Sequence, residues 1–308
     1  MNKLRTLFRY TIIAAFCFVT VSTQSALGQT TPPSQAMSEA DALFQSQKWA
    51  EAAKAYKAIT KAEPNNGAAY AQLGASLLSM GSYNEASQAL HRAVEITASP
   101  VAMYNLACSY ARLNDKDKSF EWLTKSVKAG FISASQFTND PDLASLREDV
   151  RFKGVMELID KSNRPCMYSE KARQFDFWVG EWIVTNPQGQ QVGTNTVKML
   201  EDGCIIEENW AGALGGTGKS MNFFDATTGK WRQTWVSNGG GVSEFAGQYS
   251  DGALRFEGES HLANGNKVMR RLTFFNLGPD RVRQFSEASS DNGKNWTVNY
   301  DFTYTRKR

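Results

Sequence analysis

The sequence predicts two domains of different class in one chain of 308 residues. An α-solenoid of stacked helical hairpins comes first, followed by an antiparallel β-barrel of about ten strands. Three observations carry this. From Pro33 to about Ser133, small and apolar residues recur with a period of about 34. Beyond Arg164-Pro165 the period falls to two, with turn signals roughly every 11 to 16 residues. Between them stands Phe175-Asp176-Phe177-Trp178-Val179-Gly180-Glu181-Trp182, half of it aromatic and too apolar for a surface loop.

The first element is a leader. Lys3, Arg5 and Arg9 precede an apolar run from Tyr10 to Val21, then Ala26-Leu27-Gly28. That order is a secretory signal over residues 1–28, cut ahead of Gln29. The apolar run is far short of the roughly 20 residues that a membrane-crossing helix needs. Cys17 lies inside it, which disfavours a lipoprotein attachment, and residues 29–35, with Pro32 and Pro33, read as a disordered lead-in. The expected location is periplasmic or secreted, with no stable membrane span after cleavage. The leader also holds three of the 34 Lys and Arg, so 31 basic residues face 31 acidic ones in the remainder. No basic surface for nucleic acid remains.

The helical region is expected over residues 36–160. Ala52, Ala86 and Ser119 occupy one equivalent position, and Tyr56, Leu90 and Leu123 another. Trp49, Tyr83 and Lys116 make a third, and Leu73-Gly74 matches Leu106-Ala107. Small residues let two helices approach while the large ones fill the gap. This resembles three tetratricopeptide repeats, the third having lost markers at Lys116 and Ser119. Gly130-Phe131, Asp140-Pro141-Asp142-Leu143 and Leu146 through Phe152 resemble the cap that ends such arrays. The resemblance implies a groove for a protein or peptide partner, although the residues name no groove chemistry and a spacer role stays open. Cys108 and Met103 fall on a packing face, and His91 on a polar one.

After a linker at residues 161–167, the last domain spans residues 168–308. The aromatic stretch reads as a plug, with Gly180 at the corner before the first strand. It resembles the Gly-x-Trp opening of the calycin superfamily, and more closely a group of bacterial lipocalin-like domains of unassigned function marked by FDFWxGxW. Turns at Asn186-Pro187-Gln188-Gly189, Asp202-Gly203, Thr228-Gly229, Gly239-Gly240-Gly241, Asp251-Gly252, Asn264-Gly265, Gly278-Pro279-Asp280 and Asp291-Asn292-Gly293 separate the strands. Trp296, Val298, Tyr300, Phe302 and Tyr304 are expected to share a face, as are Leu254, Phe256 and Gly258. A closed meander removes exposed edges and leaves room for one small ligand.

Candidate sites are few. Ala213-Leu214-Gly215-Gly216-Thr217-Gly218-Lys219-Ser220 fits a permissive phosphate-loop pattern, but strands follow where a helix is required, so a hairpin at the barrel mouth is expected. His261 has outward parity, which disfavours haem, and no cofactor or metal is expected. No nucleophile–base pair is evident, and the carboxylates are expected on outward, solvated positions. Trp182, Trp231, Gln233 and Trp235 are the ligand-facing candidates, offering apolar walls and one hydrogen-bonding group.

Two structural pairs are expected. In a closed even-stranded meander the first and last strands pair, bringing Trp182 near residues 303–306 and Arg306 over the indole. Lipocalins close one barrel end with such a pair. With the leader removed, Cys108, Cys166 and Cys204 remain, and Cys108 is assigned to the repeat core. Cys166 precedes the plug and Cys204 follows the turn at the same end, so these two should bridge. The family resemblance also includes a Cys at each place. The reading is an exported, non-enzymatic binding protein whose repeats engage a protein partner and whose barrel holds a small, mainly apolar molecule. The alternatives are an enzyme or haem protein using the barrel cavity, and a purely structural assembly scaffold.

Overall fold

The computed structural model describes residues 35–261 and 265–308. The expected leader, the lead-in up to residue 34 and Asn264 of one expected turn lie outside them.

Six helices form three antiparallel hairpins: α1 (Gln35–Gln45) with α2 (Trp49–Ala62), α3 (Gly67–Ser79) with α4 (Tyr83–Thr97), and α5 (Pro100–Arg112) with α6 (Lys116–Lys128). Short polar side chains start several of them. Asn66 accepts from the Ala69 amide, Ser99 from Ala102 and Asp115 from Lys118, each satisfying one orphan N–H of a first turn. The repeat positions do what their sizes dictate. Ala52, Ala86 and Ser119 are fully buried, as are Tyr56, Leu90 and Leu123. At Gly74 a Cβ would stand 2.4 Å from Leu90 Cγ, so glycine is what lets α3 and α4 touch.

The cap consists of α7 (Ala134–Asn139), a 3-10 turn at Pro141–Leu146 and α8 (Val150–Asn163). It buries Phe137, Leu143, Leu146 and Phe152 against the third repeat. The Tyr104 hydroxyl donates to Asp140 Oδ2 at 2.8 Å, fastening cap to repeat. α8 runs to Asn163, three residues into the segment expected to be a linker. His91 is exposed but not only solvated, since its ring meets Trp122 edge-on at 5.3 Å.

A 3-10 turn at Pro165–Tyr168 and another at Asp176–Trp178 lead into the barrel. Its strands are β1 (Gly180–Thr185), β2 (Gln191–Leu200), β3 (Ile205–Gly212), β4 (Thr217–Asp225) and β5 (Lys230–Ser237). β6 (Val242–Ser250), β7 (Ala253–His261), β8 (Lys267–Asn276), β9 (Arg281–Ser289) and β10 (Thr297–Arg306) complete the set. Each strand pairs antiparallel with the next, and β1 pairs with β10, closing the sheet. The closing register sets Trp182 opposite Arg306. Barrel and repeats have separate cores.

One expected alternation fails. The β10 register shifts between Val298 and Tyr300, so Tyr300, Phe302 and Tyr304 face inward while Val298 is 62% exposed. Trp296 precedes the strand and lies outside, under the Arg271 guanidinium at 4.0 Å. A bulge flips facing because side chains alternate with period two.

Candidate functional site

The plug closes one end of the barrel. Phe175 stacks on Trp178 at 4.9 Å, and both rings meet Phe274; Trp231 and Phe256 complete the layer around Phe175. Trp182 is buried beside it and donates its indole N–H to the Trp178 carbonyl at 2.8 Å. The Arg306 guanidinium lies 4.3 Å from the Trp182 ring centre and donates to the Val179 and Pro279 carbonyls. Gly180, with φ of +147°, leaves the space that this guanidinium fills. Cys166 and Cys204 are joined in a disulfide at the same end, with Cα atoms 5.0 Å apart.

Above the plug lies a polar layer that sequence reasoning missed. Glu208 of β3 points inward and is buried, against the expectation that the carboxylates face solvent. Asn195 Nδ2 of β2 and Ser220 Oγ of β4 each donate to it at 2.7 Å. Asn222 Nδ2 donates to Ser220 Oγ at 2.9 Å, and Gln233 Nε2 donates to Asn222 Oδ1 at 2.7 Å. Every donor in this chain points towards Glu208. Burial pushes its carboxyl up to about 7, and the two hydrogen bonds only partly offset that. The adjacent isoleucines and glutamates of Ile205-Ile206-Glu207-Glu208 leave parity ambiguous. Trp210, sharing parity with Ile206, is the signal that could have placed Glu208 inside.

Towards the open end the interior widens into a cavity of about 440 Å³. Trp210, Trp235, Phe245, Leu272, Tyr300 and Phe302 supply apolar wall, and Glu208, Gln233, Arg270 and Gln284 the polar groups. Trp210, Phe302 and Tyr300 form a column of nearly parallel rings, with interplanar angles of 9° and 15°. Burial raises the Tyr300 and Tyr304 hydroxyls above their usual range, and the nearby Glu208 charge adds to it. Of the four ligand-facing candidates, Gln233 and Trp235 line this cavity; Trp231 and Trp182 lie below it, against the plug.

His261 ends β7 at the cavity mouth, half exposed, with Nε2 3.6 Å from Glu259. Residues 213–216 form the β3–β4 hairpin, and Lys219 points outward to Glu207 at 3.7 Å, so the phosphate-loop pattern has no helix N-terminus behind it.

Comparison with known proteins places the helical half. The tetratricopeptide repeat family model matches residues 43–118. A chloroplastic protein of Arabidopsis thaliana is 30% identical over 86 residues, 27% of this chain and 26% of that protein. The chain thus spans about a quarter of that relative's length. Among solved structures, a MamA RS-1 ArsTM double mutant matches 42% of this chain and 75% of its own, with 23% identity and a TM-score of 0.33. PcrH in complex with the chaperone binding region of PopD matches 41% and 89%, at 19% identity and 0.31. The Yersinia enterocolitica type III secretion translocator chaperone SycD matches 41% and 89%, at 20% identity and 0.30. The chain thus carries tetratricopeptide repeats over residues 43–118, in a helical array followed by a closed antiparallel ten-strand barrel.

Proposed function

We propose that this is an exported, non-enzymatic binding protein of two parts, a repeat array that engages a protein segment and a lipocalin-like barrel that holds a small, mainly apolar molecule. The observation that carries the barrel reading is the cavity itself. It is stoppered at one end by the plug, walled by aromatic rings and supplied with a few convergent polar groups. A barrel serving only as scaffold would gain by filling that space, since an interior void forfeits packing.

The repeat family supports the protein-binding half. A groove of about 630 Å³ lies against α2, α3 and α4, with Tyr70, Leu73 and Leu77 beside Lys54, Lys57 and Glu85. Apolar surface flanked by charge suits an extended or helical peptide. Export is supported by the three-part leader and agrees with a bridge between Cys166 and Cys204. Among the described residues, no helix is long and apolar enough to cross a membrane.

Native mass spectrometry of the protein purified from its own cells tests the reading. An added mass of a few hundred daltons, lost on denaturation, is the expected result. Protein that is empty from its own cells and takes up no apolar compound would leave a scaffold; a haem absorption band would replace the reading.

A further inference from the structure

Arg270 is a cavity-lining group whose hydrogen bonding is left incomplete among the described residues. It lies on β8 between Gly258 of β7 and Ala288 of β9, neither of which has a side chain that can accept a hydrogen bond. Its neighbour Arg271 faces outward and has both Glu257 at 3.3 Å and the Trp296 ring. Arg270 has neither kind of partner among the described residues, and its Nε is buried without an acceptor. Among the described residues Glu208 is the only carboxyl lining the cavity, and both its oxygens are already engaged by Asn195 and Ser220. Arg270 is half-buried, and at its Nε it loses hydration that no acceptor among the described residues restores. Its planar fork matches an oxyanion.

We propose that the molecule held in this barrel carries an acidic group, a carboxylate or another oxyanion, paired with Arg270, and a flat apolar body lying on the Trp210–Phe302–Tyr300 column. This rests on the barrel being a ligand container and adds the ligand's class. The ring column supplies a flat apolar face, and Arg270 supplies charge at its side. The rings alone would hold a neutral hydrocarbon as well as an acid, and Arg270 adds the preference for the acid.

A matched pair of probes decides it. Anilinonaphthalene sulfonate and phenyl naphthylamine have the same rings and differ in the sulfonate. With the full chain stripped of any carried molecule, the sulfonate probe should bind about tenfold more tightly, the scale of one charge-assisted pair. Arg270→Met should abolish that preference while leaving the neutral probe's affinity unchanged, and Arg270→Lys should keep part of it. Equal affinities in the unaltered protein, or a preference surviving Arg270→Met, would overturn the acidic class and leave the container standing. Binding of neither probe would remove both. If Arg270→Met fails to fold, Arg270→Gln makes the same test, and equal affinities in the unaltered protein still overturn the acidic class.

Discussion

Arg306 and Glu208 show how single side chains set opposite ends of the barrel's energetics. Arg306 joins three things at the closed end: a ring, two carbonyls and the space that Gly180 leaves. Arg306→Ala should lower stability by roughly 1–3 kcal/mol, combining a partly buried cation–π contact with lost hydrogen bonds. The chain should still fold, as thermal melting followed by circular dichroism would show. Glu208 acts through its proton. Its carboxyl titrates at about 7 when folded and near the ordinary glutamate value when unfolded, so the folded state holds the proton more tightly. Stability therefore falls as pH rises from about 4.5 through 7 and is fully reduced above that, by up to about 3 kcal/mol. Glu208→Gln should remove this dependence. Melting temperatures of both proteins between pH 5 and 8 check it, and parallel curves would refute it. Asn195 Oδ1 has no donor in its present orientation. A flipped amide would accept from protonated Glu208, so this network serves either charge state.

At the level of elements, the α3–α4 contact is governed by the absence of one methyl. Gly74→Ala would gain about 1 kcal/mol of helix propensity. It would also drive a Cβ into Leu90, which is fully buried and has nowhere to move. Overpacking of roughly 1–3 kcal/mol should win, leaving the variant less stable in urea titration. What was legible follows the same division. The repeats could be read because helix contacts select residue size at a fixed spacing, and that spacing survives in the third repeat even where its markers are lost. The strands could be counted because glycine and asparagine mark their turns. The β10 bulge could not be read, since pairing with β9 sets it. Glu208 was hidden by a doubled residue that erased parity, and Arg270 by the ordinary look of Arg270-Arg271 on a strand.

For the whole molecule, the two cores draw on separate stretches of chain, residues 37–159 and 175–304. Calorimetry should therefore resolve two transitions. The disulfide joins Cys166, in the turn between helices and barrel, to Cys204, 38 residues on, just before β3. Removing it as Cys166→Ser with Cys204→Ser should lower the barrel transition by up to about 4 kcal/mol on chain-entropy grounds, leaving the helical one in place. A single transition moving as one body would show that the cores are coupled.

The pairing of β1 with β10 has a consequence for the order of events when the chain is made. Each helical hairpin can form as soon as it emerges, because its partners are close in sequence. The barrel cannot. The Arg306 contact with Val179 spans 127 residues, so the first strand waits for the last. Until then the sheet edge on β1 is open and the plug lacks Tyr304 and Arg306 of its wall, and that interval is when the chain is most exposed to misassociation. Refolding from denaturant should accordingly be biphasic, with helical signal recovered early and burial of Trp178 and Trp182 late. Under the proposed export, this ring would close only after the last strand has crossed.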